Sequence, residues 1–140
     1  LLVREAYPSW LYPVTKGATT IWEHWDGIKE NGDFWSKDMN SFNHYAYGAV
    51  ADWVYGVAAG IVRDEAHPGY AKVTVAPHPD KRLDWLKAAL ETRHGLVRSE
   101  WKKADGMWRY EIETPVDATI TISGTAYSVS RGIHTFYSAL

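Results

Sequence analysis

The hydrophobic period of this chain changes from that of a helix to that of a strand between residues 61 and 73. Apolar residues recur at i, i+3 and i+4 from Phe42 to Ile61, which predicts one amphipathic helix over 41–61. Beyond Val73 they alternate instead, which predicts strands with one buried face. A helical part followed by a run of strands is typical of an α+β protein.

The strand part is predicted to form a small antiparallel β-sandwich. Asp105-Gly106 is a strong hairpin signal between two alternating segments. Residues 83–93 favour helix by local propensity, but we predict a strand because the segment runs into the sheet pattern. The remaining predicted strands are 73–75, 97–101, 108–112, 118–122 and 132–137.

The predicted helix has recognisable ends and an apolar stripe. Asn40 or Ser41 can cap its start, and Gly60 lies near its end. Gly48 and Gly56 are eight residues apart, which indicates close approach of a neighbouring element. We interpret the stripe as core rather than as a ligand groove.

Composition excludes some function classes. The chain has 140 residues and a net charge of −2, so no long-range field favours nucleic acid or an anionic membrane. No apolar run approaches the length of about 18 residues that a membrane helix needs. Cysteine is absent, which excludes disulfides and Cys-based metal sites and leaves the compartment unknown. The start at Leu1, without Met or a leader pattern, predicts a fragment.

The richest segment for chemistry holds Glu23 between Trp22 and Trp25. Carboxylates are rarely buried unless they are paired or used. Indole rings around a carboxylate control its hydration, as general acid/base chemistry requires. Indole faces also stack well on the apolar faces of sugar rings. Spacing alone slightly favours the alternative of a core glutamate with a structural partner.

The histidines and the later tryptophans favour structural roles. His24, His67, His78, His94 and His134 show no metal-ligand spacing, so we predict no metal site. His44 would receive the same interpretation from its own position alone. Trp85, Trp101 and Trp108 could form a sugar platform, but their alternation with polar residues favours core packing.

Several motifs of the chain resemble bacterial α-L-rhamnosidases of glycoside hydrolase family 78. These are Tyr-Pro-Ser-Trp at 7–10, Gly-Ala-Thr-Thr-Ile-Trp-Glu at 17–23 and Met-Asn-Ser-Phe-Asn-His-Tyr-Ala-Tyr-Gly-Ala-Val at 39–50. Ala-Gly-Ile at 59–61, Pro-Gly-Tyr at 68–70 and the hairpin-rich tail follow in the family's order. The resemblance spans essentially the whole chain and is most specific in its first half.

The resemblance implies the end of an (α/α)6 barrel over 1–65 and a C-terminal β-sandwich over 66–140. It implies hydrolysis of terminal α-L-rhamnosides with inversion and without a cofactor. Glu23 matches the general base, and His44 matches a histidine that contacts the sugar. The general acid lies in an earlier barrel segment that is absent here, so the chain alone is expected to be inactive. Four other carboxylates match no family acid and are interpreted as loop residues: Asp26, Glu30, Asp33 and Asp38.

Two positions depart from the family pattern. Leu11 stands where the family usually has Gly, which puts the local loop conformation and one pocket wall in question. His24 stands where Arg or Ser is commoner, and this change affects either a neighbouring subsite or nothing.

Two other functions fit parts of the sequence. One is a non-catalytic carbohydrate-binding β-sandwich, although such a module would not need the helix or the Trp22-Glu23 motif. The other is a structural cap that stabilises the barrel. The expected partner is a rhamnose-containing glycan or glycoside, with no nucleic acid and no membrane. Either self-association or non-native packing of the first 60 residues against the sandwich is also expected, because the apolar helix would lack barrel partners.

Overall fold

The computed structural model describes residues 2–140, and the chain divides after Val50 into two compact units. The first unit is largely irregular and contains the short helix α1 (Tyr12–Thr15). The second, Ala51–Leu140, contains all eight strands of the described residues. The helical segment 45–58 crosses the division, and its parts are a 3₁₀ turn (Tyr45–Ala49), α2 (Val50–Trp53) and a π turn (Val54–Ala58).

The second unit is built from two four-stranded sheets. The first sheet has the order β1-β2-β6-β7 and the second has the order β3-β4-β5-β8. The strands are β1 (Ile61–Val62), β2 (Val73–Val75), β3 (Trp85–Thr92), β4 (Gly95–Ala104), β5 (Met107–Thr114), β6 (Ala118–Ile122), β7 (Thr125–Val129) and β8 (Gly132–Ala139). A short 3₁₀ turn, Pro68–Tyr70, lies between β1 and β2.

One strand pair corrects the expectation of a purely antiparallel sandwich. β2 pairs with β6 in parallel, with Val73 opposite Ala118 and Val75 opposite Ile120. The chain leaves the first sheet after β2, forms β3, β4 and β5 in the second sheet, and then returns in the same direction. A parallel pair needs such a long crossover, so the first sheet is mixed and the second is antiparallel.

The alternating segments bury the expected side chains. Trp101 and Trp108, on neighbouring strands, pack edge to face with ring centroids 5.1 Å apart and are 0% and 4% exposed. Their predicted role in the core is therefore confirmed, whereas Trp85 is 67% exposed and that prediction was wrong for it. Residues 83–93 contain strand β3, and Asp105-Gly106 joins β4 to β5, as predicted.

The sequence pattern missed two strands. Ile61 was assigned to the helix, but Gly60 has a φ of +72°, which ends the helix and starts β1. A β-carbon at Gly60 would lie 2.1 Å from the backbone carbon of Ala76, so a side chain has no room there. β7 has exposed residues at most positions and therefore lacks the alternation that reveals a half-buried strand.

The predicted helix over 41–61 is shorter and less regular than expected. Its helical turns begin at Tyr45, and the barrel helices implied by the resemblance are not seen in residues 2–140. The interpretation of its stripe as core is wrong for Tyr45, Trp53 and Val57, which are 86%, 46% and 38% exposed, whereas Ala58 and Ile61 at its end are buried. A β-carbon added at Gly56 would have no atom within 4 Å, and one added at Gly48 would make only ordinary van der Waals contact with Ile21.

The second unit holds the end of the helical segment by polar contacts. Trp101 Nε1 donates to the carbonyl of Ala58 at 2.8 Å, and Ser99 Oγ donates to the carbonyl of Ala59 at 2.6 Å. Both donors are buried, so these bonds satisfy groups that would otherwise be costly. In the part of the chain that the structure describes, no helix has the length and apolar character needed to cross a membrane.

Candidate active-site segment

Glu23 and His44 lie on two backbone segments that pair with each other in the first unit. The Glu23 N–H donates to the carbonyl of Ser41 at 3.0 Å, and the His44 N–H donates to the carbonyl of Ile21 at 2.8 Å. The hydroxyl of Thr20 donates to the carbonyl of Phe42. The fold therefore places the segment that carries Glu23 beside the segment that carries His44, 21 positions further along the sequence.

This pairing explains why the helix begins later than predicted. The carbonyls of Ser41 and Phe42 and the N–H of His44 are engaged with residues 20–23, so these groups are not available for helical bonds. His44 has extended angles, φ −133° and ψ 107°, and immediately precedes the 3₁₀ turn. The expectation that His44 lies in the first helical turn is therefore wrong, and its side chain is exposed.

Glu23 is half-buried. Its neighbour Trp22 is 6% exposed and packs edge to face on Phe42, with ring centroids 5.1 Å apart. Among residues 2–140, no ion pair uses the Glu23 carboxylate. The structural partner that the alternative of a core glutamate requires is therefore not an ion-pair partner among the described residues.

Trp25 belongs to an aromatic cluster that the sequence alone did not reveal. It stacks on Tyr47 with centroids 5.0 Å apart, and Trp10 lies 6.1 Å from Trp25 and 6.0 Å from Tyr47. The indole N–H of Trp25 is buried without a hydrogen-bond partner among the described residues. The signal in the sequence was only compositional, with five of eight tryptophans before residue 54.

A cleft of about 250 Å³ opens beside this cluster. Its walls are mostly apolar and include Trp10, Val14, Ile21, Trp22 and Trp25. Indole faces in such a cleft suit the apolar faces of a sugar ring or an aryl group. Glu23 and His44 are not among the lining residues, so the cleft adjoins the Glu23 segment without containing the carboxylate.

The two departures from the family pattern have local explanations. Leu11 has φ −87° and ψ −12°, an ordinary right-handed conformation, so this loop does not require glycine. His24 stacks on Trp35 with ring centroids 4.1 Å apart and planes 16° from parallel. His24 therefore covers one face of an indole that would otherwise be more exposed.

The remaining candidates do not form a second centre. No group of His, Cys, Asp and Glu among residues 2–140 could hold a metal ion. Asp33 accepts a hydrogen bond from Asn31 within the loop, and Glu30 and Asp38 are exposed. The loop residues pair as a small bridge, with Ile28 opposite Phe34.

Comparison with known proteins identifies the family of this chain. Residues 1–58 match the model of the bacterial alpha-L-rhamnosidase 6 hairpin glycosidase domain. Residues 60–134, more than half of the chain, match the model of the bacterial alpha-L-rhamnosidase C-terminal domain. The chain belongs to the bacterial α-L-rhamnosidase family and corresponds to a C-terminal part of its members. The resemblance drawn from the motifs is confirmed.

Curated relatives agree with this assignment. An alpha-L-rhamnosidase of Streptomyces avermitilis is 38% identical over 96% of this chain. An alpha-L-rhamnosidase of Formosa agariphila is 40% identical over 87% of it. The chain spans 13% of the length of each of these relatives.

Solved structures show the same fold. The structure of Streptomyces avermitilis α-L-rhamnosidase complexed with L-rhamnose has a TM-score of 0.86 and 32% identity. That match covers 99% of this chain and 15% of the other. The Aspergillus terreus α-L-rhamnosidase has a TM-score of 0.85 and 30% identity, covering 97% of this chain and 16% of the other.

Proposed function

We propose that this chain is the C-terminal part of an inverting α-L-rhamnosidase and that Glu23 is its general base. His44 contacts the rhamnosyl group, and the general acid lies in a segment outside residues 1–140. In this proposal 1–65 completes an (α/α)6 barrel, and 66–140 is the C-terminal sandwich. The observation that carries it is the half-buried Glu23, without an ion pair among residues 2–140, on a segment hydrogen-bonded to the one that holds His44.

The chemistry of inversion explains why two carboxyl groups are needed. The base removes a proton from a water molecule that attacks the anomeric carbon, while the acid protonates the departing oxygen. The two groups stand about 6.5–9.5 Å apart, which leaves room for the water. A carboxylate without an ion-pair partner, beside a buried indole, suits the base. We infer that residues 1–140 alone do not hydrolyse rhamnosides, because they lack the acid.

The direct test places the Glu23→Gln substitution in a longer polypeptide that includes the upstream barrel. General-base catalysis contributes about 10²–10⁴-fold, so kcat on an aryl α-L-rhamnoside should fall by at least about a hundredfold. Glutamine keeps the size of glutamate and leaves the Glu23 N–H bond to Ser41 in place. Undiminished activity in this variant contradicts the general-base assignment.

Matched controls distinguish the loss of the general base from the loss of any negative charge in the same unit. Glu30→Gln removes an exposed carboxylate from the same unit and should leave kcat unchanged. His44→Ala should raise KM and lower kcat/KM by about tenfold, because a hydrogen bond to a sugar hydroxyl is lost. A His44→Ala variant with wild-type KM and kcat/KM contradicts the sugar contact.

Self-association of the isolated chain is part of the same proposal. Trp53, Tyr55 and Val57 are all exposed on the part of the helical segment that lies in the second unit, and exposed apolar surface drives association. The sequence predicted an apolar helix without partners, and the exposed side chains support that prediction. In the full-length protein we expect barrel helices to cover this surface.

A β-sandwich that only binds glycan is the second candidate. The exposure of Trp85 favours it, while the burial of Trp101 and Trp108 excludes the three-tryptophan platform. Tight glycan binding by the 140-residue chain, with no effect of Glu23→Gln on hydrolysis in the longer polypeptide, would place this candidate first.

A further inference from the structure

Phe42, two residues before His44, is held by the segment that carries Glu23. The hydroxyl of Thr20 donates to the carbonyl of Phe42. The Phe42 ring packs edge to face on Trp22, with ring centroids 5.1 Å apart. Both the carbonyl and the ring of Phe42 therefore have partners on the short stretch that leads to Glu23.

The packing around the Phe42 ring leaves it little room to move. Trp22 is 6% exposed, and Phe34 approaches the Phe42 ring from the loop, with centroids 5.8 Å apart. Gly27 is buried, and a β-carbon there would lie 3.1 Å from the Phe42 ring and 3.2 Å from the Trp22 ring. The Phe42 ring thus occupies space that Gly27 leaves open because it has no side chain, and close packing fixes the position of the ring.

A packed ring does not by itself orient the peptide plane that follows Phe42. That plane can still rotate about the Cα–C bond, which is one of the two soft dihedral angles of each residue. The hydroxyl of Thr20 sets this rotation because it binds the carbonyl oxygen of the same plane. From there the chain continues through Asn43 to His44, so the Thr20 hydrogen bond determines the direction from which His44 is presented.

Thr20 is suited to orienting a neighbouring segment rather than to stabilising the core. Its side chain is exposed, so its replacement should change stability little. Among residues 2–140, no other side chain hydrogen-bonds to the backbone of 41–44. Catalytic geometry is far more sensitive than stability, because a displacement of about 1 Å can cost about a hundredfold in rate.

We propose that Thr20 is a positioning residue that orients His44 toward the rhamnosyl group through the carbonyl of Phe42. The proposal rests on the contact between His44 and the sugar in the proposed function. Glu23 has its own backbone hydrogen bond to Ser41, so loss of the Thr20 hydroxyl should affect sugar binding more than proton transfer.

The test measures kcat and KM on an aryl α-L-rhamnoside in the longer polypeptide that includes the barrel. Thr20→Val keeps the branched shape but cannot donate, so KM should rise about fivefold while kcat changes by less than about twofold. Thr20→Ser keeps the donor, and its KM should stay within about twofold of the wild type. Thr15→Val is the matched control, because the Thr15 hydroxyl donates to the carbonyl of Tyr12 at 2.7 Å. It should leave both constants unchanged.

A double-mutant cycle shows whether Thr20 acts through His44. In a His44→Ala background the sugar contact is already lost, so Thr20→Val should raise KM by less than about twofold further. Additive losses would overturn the proposal and would indicate instead that Thr20, which lines the apolar cleft, contacts the substrate directly. An unchanged KM in Thr20→Val overturns it as well, and so does a fall in kcat alone, which indicates a smaller fraction of folded enzyme.

Failure of this proposal is distinguishable from failure of the proposed function. If His44→Ala keeps the wild-type KM and kcat/KM, the sugar contact itself is contradicted. If His44→Ala raises KM and Thr20→Val does not, only the role of Thr20 is contradicted. A lower melting temperature in Thr20→Val would not obscure either result, because KM does not depend on the amount of folded enzyme.

Discussion

The two units of the chain organise their aromatic residues in opposite ways. In the second unit, Trp101, Trp108 and Tyr110 are nearly inaccessible and belong to the hydrophobic core that residues of both sheets form. In the first unit, Trp10, Trp25 and Tyr47 form a half-open cluster beside a cleft, on backbone that is mostly irregular. The first arrangement stabilises a fold, whereas the second leaves ring faces available to a ligand.

The carboxylates follow the same contrast. In the second unit, Glu111 is paired with Arg98 and Arg109. In the first unit, Glu23 has no ion pair among the described residues. A paired carboxylate contributes to a scaffold, whereas the proposed general base is a half-buried carboxylate without such a pair. The second unit therefore has the paired charges of a structural domain, whereas we propose that the first unit forms part of a catalytic site.

Replacing a tryptophan by alanine should give the largest difference in stability loss between the two units. Trp101→Ala empties a fully buried site and removes the bond to Ala58, so it should lower the free energy of unfolding by about 3–5 kcal/mol. Trp35→Ala in the first unit removes a side chain that is 41% exposed and should cost less than about 1 kcal/mol. Denaturant unfolding followed by circular dichroism measures the free energy of unfolding of both variants. An equal loss in the two variants would contradict the difference between the two units.

A pair of glycines provides the next test. Gly60→Ala forces a β-carbon against the Ala76 backbone at a positive φ, so we expect a loss of about 3 kcal/mol. Gly56→Ala meets open space in the helical segment and should change stability by less than about 1 kcal/mol. Thermal melting compares the two variants. A Gly60→Ala protein as stable as the wild type would show that the helix does not end where the structure has it.

The exposed helical surface predicts a change in association. Replacing Trp53 and Val57 together by serine removes apolar area from residues that are 46% and 38% exposed. The isolated chain should then shift toward monomer by about tenfold in dissociation constant. Sedimentation velocity over a range of concentrations measures this shift. A wild-type chain that is already monomeric at every concentration contradicts self-association.

The smallest expected effect is on pH dependence. Hydrogen bonds from Arg109, Arg82 and His67 lower the pKa of Glu111, Asp80 and Asp64 respectively, all in the second unit. A carboxyl group with a lowered folded-state pKa stabilises the fold above its unfolded pKa and loses that contribution as pH falls through the folded value. The melting temperature should therefore fall below about pH 4, and Glu111→Gln should make this fall shallower. If the melting temperature of Glu111→Gln falls with pH as steeply as that of the wild type, Glu111 does not contribute to the acid sensitivity.

Features of the fold and the site were predictable from the sequence where neighbouring residues determine them, and not where residues far apart in the chain do. The hairpin at Asp105-Gly106 was predictable because its turn residues adopt positive φ locally. The parallel β2–β6 pair was not, because residues more than 40 positions apart determine it. The late start of the helix depends on hydrogen bonds between 41–44 and 20–23, which no periodicity shows. Glu23 and His44 were found through motifs, while the Trp10–Trp25–Tyr47 cluster needed the fold.

The central claim is that Glu23 acts as a base on water, and chemical rescue tests it most directly. In a longer polypeptide that includes the barrel, Glu23→Ala should be nearly inactive on an aryl α-L-rhamnoside. Azide, a nucleophile that needs no base, should restore turnover and give the β-rhamnosyl azide, while the wild type releases β-rhamnose first by NMR. Glu23→Ala that hydrolyses at the wild-type rate, or a wild type that releases the α-anomer first, would contradict the account.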